Sequence, residues 1–214
     1  MCDLGHSHPH QRFGFLVDVP EVRALVRETE RLTSEISDHA ARVEALRPAF
    51  ATLLASEAWL PAECARPDDT SKMGGGIGQY ALYRAENGSL CLFSLVVPAG
   101  AATPVHDHLA WGLVGLYQGD QEEEEYEAHD HEAGTNFRPL NLRTKRVLKK
   151  GDFYELVPPW NDVHRVRTIS SEPSVSLHLL ANDIGCVVRQ KFDTESGRTE
   201  PFRSGWSNAP CEER

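Results

Sequence analysis

The chain has 214 residues, 40% of them hydrophobic and 25% charged, a composition typical of a globular domain and unlike that of disordered or fibrous chains. Its 22 Lys and Arg against 32 Asp and Glu give a formal net charge of -10, which argues against nucleic acid and anionic membranes as partners. No apolar run approaches the roughly 18 residues that a membrane span needs.

The N-terminus, MCDLGHSHPH, has neither the basic nor the apolar region of a secretory signal. Residues 1–17 read as a polar, His-rich leader: GHSHPH could catch stray divalent metal, but Gly and Pro favour a mobile tail. From Pro20 to about Leu60 the apolar period is helical, with Val22, Leu25, Val26, Leu32, Ile36, Val43 and Leu46 at three- and four-residue steps. Pro48 is expected to separate this stretch from a second helix, Ala49–Trp59, which Pro61 stops. RPDDTSKMGGGIG (Arg66–Gly78) reads as a loop. Residues 18–78 are therefore expected to form a helical segment packed on the strand-rich remainder of the chain.

Residues 79–214 read as short strands between turn signals: Ser89–Val97, Ala110–Gln118, Phe153–Val157 and Val175–Ala181 are examples. Many short strands at near-regular spacing predict a β-sandwich or barrel. The acidic run Glu122–Glu125 reads as a solvated strand or loop face. The five cysteines (Cys2, Cys64, Cys91, Cys186, Cys211) are scattered, with neither a C-x-x-C nor a disulfide framework. That pattern points to a reduced, cytoplasmic protein.

The informative segment is GAATPVHDHLAWGLVGLYQG (Gly100–Gly119). His106 and His108 are two apart, so on a strand both rings point to one face. Inside an otherwise apolar barrel they would make a pair of metal ligands, although surface H-x-H pairs without a metal are common. The pair sits in a wider frame: Gly100, five residues, His106-x-His108, three residues, Gly112, six residues, Gly119. A second block comes later in the chain, Gly151-Asp152, then Pro158-Pro159, then His164.

These two blocks resemble the paired motifs of the cupin superfamily, with Gly112 where many cupins place a glutamate ligand. The resemblance implies a mainly β chain, a double-stranded β-helix (jelly-roll) barrel with N-terminal α-helices, and a metal held by His106, His108 and His164. Taken alone, His164 could equally be a core histidine bonded to a backbone carbonyl. Among cupins, a three-histidine set without a carboxylate is similar to that of the thiol dioxygenases, which include cysteine dioxygenase and 3-mercaptopropionate dioxygenase. PVHDHLAWGLVGLYQG, HRV (His164–Val166), SVSLHLLANDIG (Ser174–Gly185) and FDTESGRTEPFRSGWSNA (Phe192–Ala209) resemble the bacterial branch of that family. So does WLPAE (Trp59–Glu63) before GQYALYR, and the likeness runs from about residue 50 to the end.

The resemblance implies an Fe(II) cofactor, a small-molecule thiol and O2 as partners, and a sulfinate product. Three imidazoles leave Fe(II) its full charge and about three open positions, which favours an anionic sulfur donor. Imidazoles suit Zn, Cu and Ni as well, so iron comes from the resemblance and not from the ligand count.

Ser176, His178 and residue 180 alternate and share a strand face. The family carries a Ser–His–Tyr relay there, but here position 180 is leucine. His178 is either an inert buried histidine bonded to Ser176 or a group that faces the pocket itself. Some family members cross-link a cysteine at position 112 to the tyrosine, which Gly112 and Leu180 preclude. For the substrate carboxylate the alignment puts Gln79 nearest, with Tyr83 and Arg84 as rivals and Leu180 as a pocket wall. Trp111 and Trp160 flank the ligand segments as pocket walls or core. Two other readings stay open: a cupin dioxygenase that cleaves a carbon–carbon bond of a β-diketone-like substrate, and a non-enzymatic ligand-binding cupin. The chain could be a monomer or a homo-oligomer.

Overall fold

The structure, a computed structural model, describes residues 12–129 and 134–211. Residues 1–11 of the expected leader, the GHSHPH run among them, therefore lie outside the described residues, and residues 12–17 are described. Gly14–Phe15 form strand β1, and Leu16 and Val17 are buried. Two helices come next, α1 (Pro20–Glu35) and α2 (His39–Ala55). Pro at the first helical position suits α1, because its missing N–H is one that a helix start leaves unpaired anyway. Asp38 caps α2 by accepting from the Ala41 amide at 2.8 Å.

The expected break at Pro48 is corrected: the chain breaks at residues 36–38, and Pro48 lies within α2. Pro48 and Glu44, whose carbonyl loses its partner, are both exposed, so water can satisfy that carbonyl. Val43, Leu46, Phe50, Leu53 and Leu54 stay buried on the opposite side. Burying five large apolar side chains outweighs about 3 kcal/mol for an interior proline.

Among the described residues, eleven further strands form the barrel. They are β2 (Gly78–Arg84), β3 (Cys91–Val97), β4 (Val105–His106), β5 (Gly112–Gln118), β6 (Gln121–Ala128), β7 (Leu140–Leu148), β8 (Phe153–Leu156), β9 (Val163–Thr168), β10 (Ser174–Leu180), β11 (Arg189–Phe192) and β12 (Thr199–Phe202). One sheet runs β1-β2-β3-β10-β5-β8 and the other β12-β11-β4-β9-β6-β7, with all pairs antiparallel. This is the expected mainly β, double-stranded β-helix with N-terminal helices. Strands β11 and β12 extend the second sheet at its edge.

The helices cover the outer face of the first sheet, so its strands are apolar on both faces instead of alternating. On β3, Leu92 and Val96 pack with the helices, while Cys91, Phe93, Leu95 and Val97 point into the barrel. On β10, Val175, Leu177 and Leu179 face the helices and Leu180 faces inward. Ser176 and His178 share the inward parity. None of the described helices is long and apolar enough to cross a membrane.

The acidic run is not the solvated face expected of it. Glu122 and Glu124 pair with Lys145, Glu123 and Glu125 with Arg146, and Glu124 also with Arg165. Neighbouring strands β7 and β9 supply these cations, which is cross-strand pairing that no single segment reveals.

The cysteine reading also changes. Cys186 and Cys211 form a disulfide although 25 residues separate them, because the C-terminal segment folds back over Gly185. The scatter of cysteines is thus no argument for a reducing compartment. A loop of this size is worth about 3–4 kcal/mol in chain entropy. Replacing both cysteines by serine is expected to lower the urea midpoint accordingly, and reductant should do the same to the native chain only. Equal midpoints with and without reductant would show that the bond contributes nothing.

Candidate metal centre

Strands β4 and β9 bring His106 directly opposite His164, and His108 lies two residues beyond His106. The three rings lie with centroids 4.6–5.0 Å apart, and their ligand atoms are all within 4.8 Å of one another. All three histidines are buried. Each ring uses Nδ1 to hold its orientation: His106 bonds the Pro104 carbonyl at 2.9 Å, and His108 the Asp162 carbonyl at 2.9 Å. His164 Nδ1 bonds the Glu123 carboxylate at 3.0 Å, with the Tyr154 hydroxyl also at 3.0 Å. Nε2 is therefore the nitrogen left on each ring to coordinate a metal.

Asp162 also shapes the turn. Its carboxylate accepts from the amides of His108 and Leu109 at 2.9–3.2 Å. Leu109 sits at φ 54°, a left-handed conformation that costs a branched side chain energy and must be held by its surroundings.

Burial pushes the pKa of His106 well below 6.5 and that of His108 down to about 4; the negative charge of the nearby Asp162 carboxylate opposes the shift at His108. Neutral imidazole is the form that binds a divalent metal. The donor set, three imidazole nitrogens on rings anchored through Nδ1, thus fits such an ion.

Among the described residues, no carboxylate joins the three. At Gly112 a Cβ would lie 1.9 Å from the Leu179 carbonyl oxygen and 2.7 Å from Leu180 Cδ2. A glutamate ligand at this position is excluded by the backbone itself.

His178 Nε2 bonds Ser176 Oγ at 2.9 Å, and its ring stacks on Phe93 at 4.5 Å. Its Nδ1 is buried with no hydrogen-bond partner among the described residues. Burial and the nearby His108 and His164 push its pKa well below 6.5. Leu180 is fully buried in the interior cluster with Phe93, Cys91 and Val114.

Two of the expected carboxylate binders, Tyr83 and Arg84, are engaged by other partners, and the third, Gln79, shares Ser204 with Arg189. Tyr83 faces the helices, with its ring 4.9 Å from Phe15 and its hydroxyl on Glu30 at 3.3 Å. It lines a cavity of about 950 Å³ outside the barrel that none of the three histidines touches. Its displacement arises from a bulge between Ala81 and Tyr83, which shifts the strand's alternation. Arg84 is consumed by Asp183, at 2.7 and 3.1 Å, and by the carbonyls of Arg12 and Pro210. Gln79 donates to Ser204 and to the Gly205 carbonyl. Trp111 packs in the helix-facing core against Arg42, and Trp160 is 71% exposed, so neither walls the interior.

Instead, the cation beside the triad is Arg189, at the start of β11. It is almost fully buried, donates to the carbonyl of Asp107 between the two β4-side histidines and to Ser204, and leaves Nε unpaired among the described residues. Phe202 stacks 4.8 Å from it and 6.1 Å from His106. Burial lowers its pKa to about 10, so it stays charged at neutral pH. The sequence reading missed Arg189, Glu123, Tyr154 and Asp162. The Glu123 carboxylate inside the acidic run was the one visible signal.

No family model matches the chain. Among solved structures it is similar to the cupin domain of Cnp3 from Schizosaccharomyces pombe, at 19% identity over 50% of this chain and 65% of that one, TM-score 0.36. A Klebsiella pneumoniae protein with a double-stranded β-helix domain is similar at 16% identity over 60% and 91%, TM-score 0.41. Oxalate oxidase in complex with the substrate analogue glycolate is similar at 12% identity over 55% and 56%, TM-score 0.39. The chain thus spans less than two thirds of the first and third of these.

Depressed histidines give a signed pH dependence. Between pH 6.5 and about 4 the unfolded chain protonates His108 while the folded chain does not. The metal-free protein is therefore expected to lose stability as pH falls through this window, by up to about 1.4 kcal/mol per pH unit for each such histidine. Urea midpoints between pH 7.5 and 4 measure this. His108→Gln should flatten the slope, and an unchanged slope would refute the burial of neutral imidazole.

Proposed function

We propose that this chain is a mononuclear non-haem Fe(II) thiol dioxygenase, adding both atoms of O2 to the sulfur of a small anionic thiol. The observation that carries this reading is that, among the described residues, a histidine triad without a carboxylate lies beside a buried guanidinium whose Nε has no hydrogen-bond partner. Thiolate plus O2 equals sulfinate, so the reaction balances without a further reductant. Iron held by His106, His108 and His164 would supply the open positions and the electrons through which O2 reacts at sulfur.

The chain's own residues do the rest. Arg189 binds the anionic headgroup of the substrate, and a buried charge-assisted contact of this kind both orients and selects. His178, held by Ser176 and by stacking on Phe93, offers Nδ1 to a polar group of the substrate. Leu180 and Phe93 line the site with apolar surface that excludes water. A second reading is cleavage of a carbon–carbon bond in a β-diketone-like substrate. It is favoured by Leu180, which has no hydroxyl to orient a thiolate, and disfavoured by the buried cation of Arg189, whose Nε has no hydrogen-bond partner among the described residues.

The test is oxygen uptake by Fe(II)-loaded protein against 3-mercaptopropionate, mercaptosuccinate, cysteine and a β-diketone, with products from ¹⁸O2 identified by mass. The expected result is about one iron per chain and a sulfinate carrying two labels. Changing any one of the three histidines to Ala should remove most iron and all uptake. Arg189→Gln should raise KM roughly 10- to 150-fold, the range for losing a hydrogen bond to a charged group. Uptake with the diketone alone, or iron retained by two of the histidine variants, would overturn the reading.

Leu180→Tyr returns a hydroxyl beside His178. Gaining one hydrogen bond to a reacting group is worth about 0.5–3 kcal/mol, or roughly 2- to 150-fold in rate. Kinetics across the same thiols should shift in favour of the smallest thiol carboxylates. An unchanged profile would mean that residue 180 does not meet the substrate.

A further inference from the structure

One of the three histidines is anchored differently from the other two. His106 and His108 direct Nδ1 at backbone carbonyls. The Asp162 carboxylate lies 3.6 Å from His108 Nδ1, beyond hydrogen-bond reach, and is occupied by two amides. His164 instead meets the carboxylate of Glu123 directly, at 3.0 Å, and Glu123 is only 1% exposed. The other carboxylate oxygen accepts from Arg146 Nε, and Arg146 is 35% exposed. Its guanidinium also lies 4.4 Å over the ring of Tyr154, whose hydroxyl is 3.0 Å from His164 Nδ1. A chain of contacts thus runs from the protein surface through Arg146 and Glu123 to one ring of the triad.

We infer that Glu123 is a positioning residue for the metal, making His164 the strongest electron donor of the three ligands, with Arg146 setting how strongly it does so. An acceptor carrying a full negative charge pulls harder on the Nδ1 proton than a neutral carbonyl does. The electron density released passes through the ring to Nε2, and low surrounding polarity strengthens the effect. Arg146 opposes it by drawing part of the carboxylate's charge to itself. The two partners therefore act on the metal with opposite sign, which a merely structural role would not produce. Glu123's role presupposes a metal at the triad but not a thiol substrate.

Two variants of the full chain, Glu123→Gln and Arg146→Gln, test this with Co(II) as the probe. The dissociation constant is read by chelator competition, and the iron-loaded proteins give a midpoint reduction potential. Glu123→Gln is expected to weaken Co(II) binding about 10- to 100-fold and to raise the potential. Arg146→Gln is expected to lower the potential, and Tyr154→Phe, which keeps the charge of Glu123, to change binding far less than Glu123→Gln. Circular dichroism confirms that each variant is folded. If Glu123→Gln does not fold, the sign of the Arg146→Gln shift decides alone. Equal Co(II) affinity in folded Glu123→Gln, or an Arg146→Gln potential that is unchanged or raised, overturns the inference. A native chain that takes up no Co(II) overturns the metal reading and Glu123's role together. Failure of every thiol to support oxygen uptake, with these shifts intact, overturns only the proposed reaction.

Discussion

Three imidazoles packed within one barrel to share a metal must all be oriented and all leave the same side free. That requirement organises the structure around them. Each ring needs a partner for Nδ1, and the three partners come from different places: a carbonyl two residues away at Pro104, a carbonyl across the turn at Asp162, and a carboxylate on the adjacent strand at Glu123. The β4–β9 pairing sets His106 opposite His164, and the Asp162 carboxylate holds the turn that presents His108. If one support were lost, a buried imidazole would gain an unpaired polar atom, a cost of about 1–3 kcal/mol at that ring alone.

The same burial explains what surrounds the triad. Apolar strands screen His106 and His108 from water, so their charged forms are disfavoured, and the nearby Arg189 is itself desolvated. Arg189 keeps its charge because carbonyl, hydroxyl and aromatic partners hold it, yet none of them is a directly bonded carboxylate. An interior with a buried cation and an unpaired imidazole nitrogen at His178 is polar at chosen points and dry elsewhere. Gly112 contributes by exclusion. The strand β10 backbone comes so close that no side chain fits there, and the ligand set stays free of carboxylate.

The helical and strand regions were legible because their periods are long and regular. Residues 20–55 carry a helical stripe, and the apolar strands β3 and β10 stand out. Pro48 misled because a local rule was outvoted by packing on the opposite helix face. The histidine pair was legible through its spacing of two, and His164 through the block that precedes it. The surroundings of Tyr83 and Arg84 were not legible, because a single bulge in β2 shifts the strand's alternation and Arg84's partner Asp183 lies 99 residues away.

By itself, the sequence determined element type, the barrel class and which histidines have the spacing to meet, since these depend on periodicity and on residues near one another in the chain. Tertiary structure alone decided which charged groups stand beside them. Glu123, Asp162 and Arg189 reach the histidines from strands and turns 41 to 82 residues distant in pairing. The Cys186–Cys211 bond likewise depends on how the last segment folds back. Register between strands is set by the summed packing of whole sheet faces, and no local stretch of residues encodes that sum.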